Sequence, residues 1–206
     1  MLGDVKNAGQ RRAINVKFRL MESINLTNHL LIAMPGMADP HFSKSLTYIC
    51  EHSENGAIGL VINKPTDITV GHLFDQVAIE FANDAIAHDA VHFGGPVKVE
   101  CGFVLHQPLG DWNSTLTVDA DIGMTTSKDI LEAIARGEGP SRVLVALGYA
   151  GWSPGQLEDE IKRNGWLTVE ADARLIFDLP AEEKLNAAMH KLGVHPAMLS
   201  DSVGHA

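Results

Sequence analysis

Three short, uninterrupted apolar runs restrict what this chain can fold into: LLIAM at residues 30–34, IGLVI at 58–62 and VLVAL at 143–147. Each is too short to be an independent helix and none alternates with polar residues. They therefore read as strands covered on both faces. Between them, residues 46–52 follow a two-residue period, which places Leu46, Tyr48, Cys50 and His52 on one face and Thr47, Ile49 and Glu51 on the other. Further strands are expected near residues 91–93, 102–106, 116–118, 166–169 and 174–177.

Three helices mark their own ends. Thr126 is placed as an N-cap with Asp129 three residues on, Ile130, Leu131 and Ile134 form an apolar stripe, and Gly137 stops the helix. The second begins at Ser153 and ends near Asn164 and Gly165. The third has Pro180 in its first turn, presents Leu185, Ala188, Met189 and Leu192 on one face, and terminates at Gly193. A shorter helix is expected over residues 70–77. Strands clustered early and helices late suit an α+β sheet better than a doubly wound one. Nothing repetitive and no long linker divides residues 26–206, which read as one domain behind a disordered, basic N-terminal extension over residues 1–25.

At 206 residues and 45% hydrophobic content, the chain buries a full core without a cofactor or disulfide. Its two cysteines, Cys50 and Cys101, each sit in an apolar stretch and read as core thiols in a reducing cytoplasm. The basic residues near the N-terminus are not followed by the apolar region that an export signal needs, and no apolar run reaches membrane-spanning length. Net charge is −10; residues 1–20 hold five basic and one acidic residue, so residues 21–206 carry −14. Phosphate binding depends on clustered Lys and Arg, and so direct nucleic-acid binding by the folded part is disfavoured.

The run LLIAMPGMADPHFSKSLTYICEHSENGAIGLVINKP at residues 30–65 resembles the opening signature of the bacterial YqgE/AlgH family. Three later segments match in the same order: VHFGGPV at 91–97, GFVLH at 102–106 and ALGYAGWSPGQLEDEI at 146–161. The resemblance spans about residues 26–200. It implies a single domain built on a bifurcated, barrel-like sheet with three to four helices. The family's label of transcriptional regulator describes an effect on expression and names no chemistry.

Several residue patterns suggest chemistry, and each has a plainer reading. Gly151-Trp152-Ser153-Pro154-Gly155 is a literal G-x-S-x-G between a strand and a helix, with Asp172 or Asp178 and His190 or His195 downstream in the order a serine hydrolase requires. Pro154, however, lacks the N–H that would stabilise the oxyanion. The same letters spell a helix start: Ser153 as N-cap, Pro154 first in the helix, Gln156 completing a capping box and Trp152 stapled onto Leu157. Cys50 and His52, spaced to point the same way, offer two metal donors, with His41, Asp39 or His92 as further ligands, yet no complete ligand spacing supports a metal centre. Gly94-Gly95-Pro96 and the glycines of residues 148–155 resemble phosphate cradles but lack a P-loop lysine, and the second precedes Glu158, Asp159 and Glu160.

The turn at residues 34–40 carries more special residues than a strand connection needs. Met34 and Met37 supply adaptable apolar contact, and Asp39 and His41 supply polarity. The family signature concentrates here and at residues 50–52 and 63–65. The sequence thus predicts a ligand or partner surface from Pro35, Gly36, Asp39, His41, Cys50, Glu51, His52, Asn63, Lys64 and Pro65, with no catalytic residues, metal or cofactor. The corresponding function is a non-catalytic cytoplasmic binding or regulatory protein that meets a protein partner or small ligand and acts on expression indirectly. Direct DNA binding is the alternative, and a metal-dependent or serine hydrolase stands behind both.

Overall fold

The computed structural model describes residues 25–81 and 84–194. The expected N-terminal extension lies outside them except for Asn25, as does His195.

The apolar run at residues 143–147 seeds the strand that organises the molecule, β9 (Arg142–Trp152). One edge of β9 pairs antiparallel with β6 (Val97–Gln107). Its other edge is shared. β5 (Ala90–Phe93) runs parallel to it at Ala146 and Leu147, and β3 (Gly56–Val61) takes over antiparallel at Ala150, Gly151 and Trp152. The sheet therefore forks along β9. One limb continues through β3, β2 (Leu46–Ser53) and β1 (His29–Ala33) to β10 (Trp166–Glu170) at the edge. The other carries β5 with β4 (Pro65–Thr69), and β6 with β8 (Gly123–Thr125) and β7 (Thr115–Thr117). The result is a curled, half-barrel α+β fold with a bifurcated sheet, as the family resemblance implied.

The fork requires backbones to approach more closely than side chains allow. Gly94 N–H donates to the Leu147 carbonyl and the Gly94 carbonyl accepts from Val61 N–H, both at 2.8 Å, which stitches the two limbs together. A Cβ at Gly94 would stand 2.2 Å from the Gly148 carbonyl oxygen, and Gly148 itself has φ +71°. Of the glycines considered as a phosphate cradle, Gly94, Gly95 and Gly148 are crowded by neighbouring main chain.

Both faces of the sheet are covered, which explains the unbroken apolar runs. Leu30, Ile32, Leu46, Tyr48, Leu105 and Ala146 face a core closed by a π-helix (Arg174–Asp178) and α5 (Ala181–Lys191). Residues one position away turn to the other side. Val91, Val104 and Val145 pack under α1 (Val70–Gln76) and α3 (Lys128–Ala135), while Leu31, Ala33, Ile49, Ala150 and Trp152 pack under α4 (Gln156–Lys162). The short α2 (Asp84–Ala87) precedes β5.

The segment 174–177 was expected to be a strand and is the π-helix. Leu175 and Ile176 are both buried, and Asp172 draws the backbone into a helical turn by accepting Leu175 N–H on Oδ1 and Ile176 N–H on its carbonyl. The α3 cap is Ser127, one residue after Thr126. β4 and β8 were not anticipated, because both are short and β4 is partly polar.

Candidate functional site

Two turns and a helix build a cleft of about 820 Å³ between the segment 34–42 and α4. Phe42, Trp152 and Trp166 form its aromatic floor. Phe42 lies edge-on to Trp166, with ring centroids 5.6 Å apart, and Trp152 meets Trp166 at 6.1 Å. Met34 and Met37 add flexible apolar wall, and Asp39, Glu160 and Arg163 are its charged members. The turn is anchored at its base by Met34 N–H to the Gly165 carbonyl at 3.0 Å.

Glu160 holds this floor together. Its Oε2 accepts both indole N–H groups, from Trp152 at 2.9 Å and from Trp166 at 2.8 Å, and its Oε1 accepts from the Gln156 amide at 2.9 Å. The carboxylate satisfies two polar atoms of largely buried tryptophans. Sequence reasoning took Trp152 as a helix staple and missed Phe42, Trp166, Glu160 and Arg163. The available signal was two of the chain's three tryptophans bracketing one acidic helix.

The ten residues predicted as one surface divide into three groups. Pro35, Gly36 and Asp39 line the aromatic cleft. His41, Asn63, Lys64 and Pro65 gather beside it. Lys64 Nζ donates to the carbonyls of His41 at 2.8 Å and Pro40 at 3.4 Å, and His41 stacks on Phe93 with centroids 5.7 Å apart. Asn63 links the segment to the sheet by donating to the Lys44 carbonyl and accepting from Leu46 N–H. Burial lowers the Lys64 amine, partly offset by the negative charge of Asp39. Asp39 Oδ1 accepts His41 N–H at 2.8 Å, and Pro65 opens β4 opposite His92.

Cys50, Glu51 and His52 lie elsewhere, and the expected common face for Cys50 and His52 does not form. The β2–β3 register shifts between Ile49 and Glu51, so β2 bulges at Cys50. Cys50 stays in the core with Tyr48, its thiol pushed far up by burial. His52 turns to the opposite side. Leu26 N–H donates to its Nδ1 at 3.0 Å, which leaves the proton on Nε2 to be donated to Glu158 Oε1 at 3.1 Å. These contacts tie the chain before β1 and α4 to β2, and they separate the two donors considered for a metal. Among the described residues, no cluster of three or more His, Cys, Asp or Glu has metal-binding geometry. Exposed Glu51 instead borders a second cleft of about 500 Å³ with Tyr149 and Ser153.

Among the described residues no histidine lines that second cleft, and the suggested triad acids are engaged elsewhere, Asp172 with Lys191 and Asp178 with Arg142. The helix beside Ser153 starts later than expected: Gly155, at φ +76°, is the N-cap and α4 begins at Gln156. Half of the capping box persists, since Ser153 N–H donates to Gln156 Oε1 at 3.0 Å. Cys50 and Cys101 are both free thiols. No helix among the described residues is long and apolar enough to cross a membrane.

The chain is similar to bacterial proteins that it matches over nearly their whole length. A UPF0301 protein of Nitrosospira multiformis is 58% identical over 186 residues, covering 90% of this chain and 100% of that one. One from Ralstonia nicotianae is 58% identical over 183 residues, covering 89% and 96%. Among solved structures, the solution structure of the AlgH protein from Pseudomonas aeruginosa matches with a TM-score of 0.74 at 45% identity, over 90% of this chain and 98% of that one. A crystal structure of a Corynebacterium diphtheriae protein, 21% identical with a TM-score of 0.67 over 89% and 94% of the chains, shares the fold. With the AlgH-like family model matching residues 30–197, the chain belongs to the AlgH-like family.

Proposed function

We propose that this is a non-catalytic cytoplasmic binding protein, that its working surface is the aromatic cleft between the segment 34–42 and α4, and that any influence on transcription passes through a protein partner. The cleft carries the reading. It combines an aromatic floor, two methionines and charged groups of both signs in about 820 Å³. The occupant that fits is an extended segment of a partner protein that inserts one large apolar side chain. β10 is the edge strand of its limb and begins at Trp166 in the cleft, so main chain is available for pairing next to the pocket for a side chain. The charge of −14 over residues 21–206 opposes a direct role on DNA.

A phage-displayed peptide selection against the full chain, counter-selected against Met37→Asp, tests this. Enriched peptides should share an apolar anchor and quench or shift the emission of Trp152 and Trp166 saturably, and Met37→Asp should weaken binding at least ten-fold. Peptides that bind both proteins equally would overturn the assignment.

A further inference from the structure

A separate cavity, of about 410 Å³, lies between the sheet and the segment 177–184 and shares no lining residue with the aromatic cleft. Its walls include Val143, Val145, Phe177 and Leu179. Lys184 reaches it from α5 with only 3% of its surface exposed. The Nζ donates to the Ile176 carbonyl of the π-helix at 2.7 Å, and Lys184 takes part in none of the ion pairs among the described residues. A desolvated ammonium without a counter-ion is costly, and burial accordingly lowers this amine to about 8. His92 lines the same cavity with Nδ1 buried. Burial first, and the Lys184 charge second, lower His92 to about 4, against the opposing pull of the Val145 and Ala90 carbonyls, so the ring is neutral.

We propose that this cavity is a reversible capture site for a small apolar aldehyde or ketone, with Lys184 as the amine that bonds it. The unprotonated amine adds to the carbonyl carbon as the C=O π bond breaks, one N–H proton passes to the oxygen to give a carbinolamine, and the second N–H proton leaves with that hydroxyl as water, giving a C=N bond that hydrolysis reverses. No electrons are exchanged. A buried, unpaired lysine against apolar walls is the environment in which an amine becomes nucleophilic at neutral pH. With an amine near 8, about a quarter of Lys184 is unprotonated at pH 7.5, against about one in a thousand for an ordinary lysine. Exposed Asp89 and Glu182 also border the cavity and select against anionic carbonyl compounds. The inference is independent of the role given to the aromatic cleft.

The test treats the full folded chain with dilute benzaldehyde and cyanoborohydride at pH 7.5 and maps reductive alkylation by peptide mass spectrometry. Lys184 should be modified at least ten-fold faster than exposed Lys98, Lys128 and Lys162, and that advantage should vanish in denaturing urea. Glyoxylate should modify Lys184 more slowly than benzaldehyde does. An unmodified Lys184 beside alkylated surface lysines overturns the proposal and leaves the amine as a cap on the Ile176 carbonyl. Equal rates for glyoxylate and benzaldehyde overturn the assigned ligand class. Lys184→Met should abolish capture, and if that variant fails to fold, the map of the unaltered protein still decides.

Discussion

Replacing Glu160 tests whether one carboxylate organises the aromatic cleft. Glu160→Ala removes the shared acceptor of the Trp152 and Trp166 indoles, bonded at 2.9 and 2.8 Å, while both rings stay at least nine-tenths buried. Hydrogen bonds to a charged group contribute about 1.5–3 kcal/mol each, and water entering the open cleft recovers part of that, so the expected loss is about 2–4 kcal/mol. For a chain of this size that corresponds to a fall in Tm of roughly 5–15 °C. Urea unfolding followed by tryptophan emission measures it directly. A Trp112→Phe background leaves only the two cleft tryptophans emitting, and it removes an indole N–H that is buried without a partner. Glu160→Gln should retain stability to within about 1 kcal/mol, because its amide oxygen still accepts both N–H groups and the Gln156 amide can turn to meet it. The reasoning is refuted if Glu160→Ala unfolds within about 0.5 kcal/mol of the parent, the range of an ordinary surface substitution.

Gly94→Ala should cost more than about 3 kcal/mol or abolish soluble expression, since the added Cβ meets the Gly148 carbonyl at 2.2 Å where the limbs of the sheet join; a Tm near that of the parent would refute the crossing argument. His52→Phe strands the buried Leu26 N–H and breaks the link to Glu158, with an expected loss of about 1–3 kcal/mol in urea unfolding, whereas Glu51→Ala, exposed on the same strand, should change stability by less than about 0.5 kcal/mol. Stability should fall on mild acidification: the unfolded chain protonates His92 near its ordinary value of about 6.5 while the folded chain resists down to about 4, so roughly 2 kcal/mol is lost between pH 7 and pH 5. His106, also lowered by burial, adds to the loss in the same direction. Urea midpoints at the two pH values check this, and His92→Gln should flatten the slope.

The fold was legible where one physical signal dominated. Unbroken apolar runs marked strands covered on both sides, and the glycine-ended stripes of α3 and α5 gave helices in nearly the right places. What the residues alone did not reveal were features decided by which main-chain groups find a partner. The π-helix over Arg174–Asp178 depends on Asp172 meeting two N–H groups, and nothing in RLIFD distinguishes it from a strand. β4, with two Thr, an Asp and a Pro in five residues, exists because β5 lies beside it.

The bulge at Cys50 shows how such a miss propagates into function. Period-two reasoning assumes one residue per register step, and a single extra residue reverses every side chain beyond it. That reversal moves His52 from the side of Cys50 to a position against Leu26 and α4, which dissolves a two-donor metal pair and creates a structural tie in its place. The turn at 34–40 does line the aromatic cleft, and its prolines, glycine and methionines act locally and need no register. Its partners in the cleft were missed for the opposite reason. Trp152 and Trp166 are fourteen positions apart on different strands, and only the folded chain brings their N–H groups to one carboxylate on the helix between them. A composite site of this kind leaves no spacing rule in the sequence. Its members are recoverable from one-dimensional reading only as unexplained aromatic residues flanking an acidic helix.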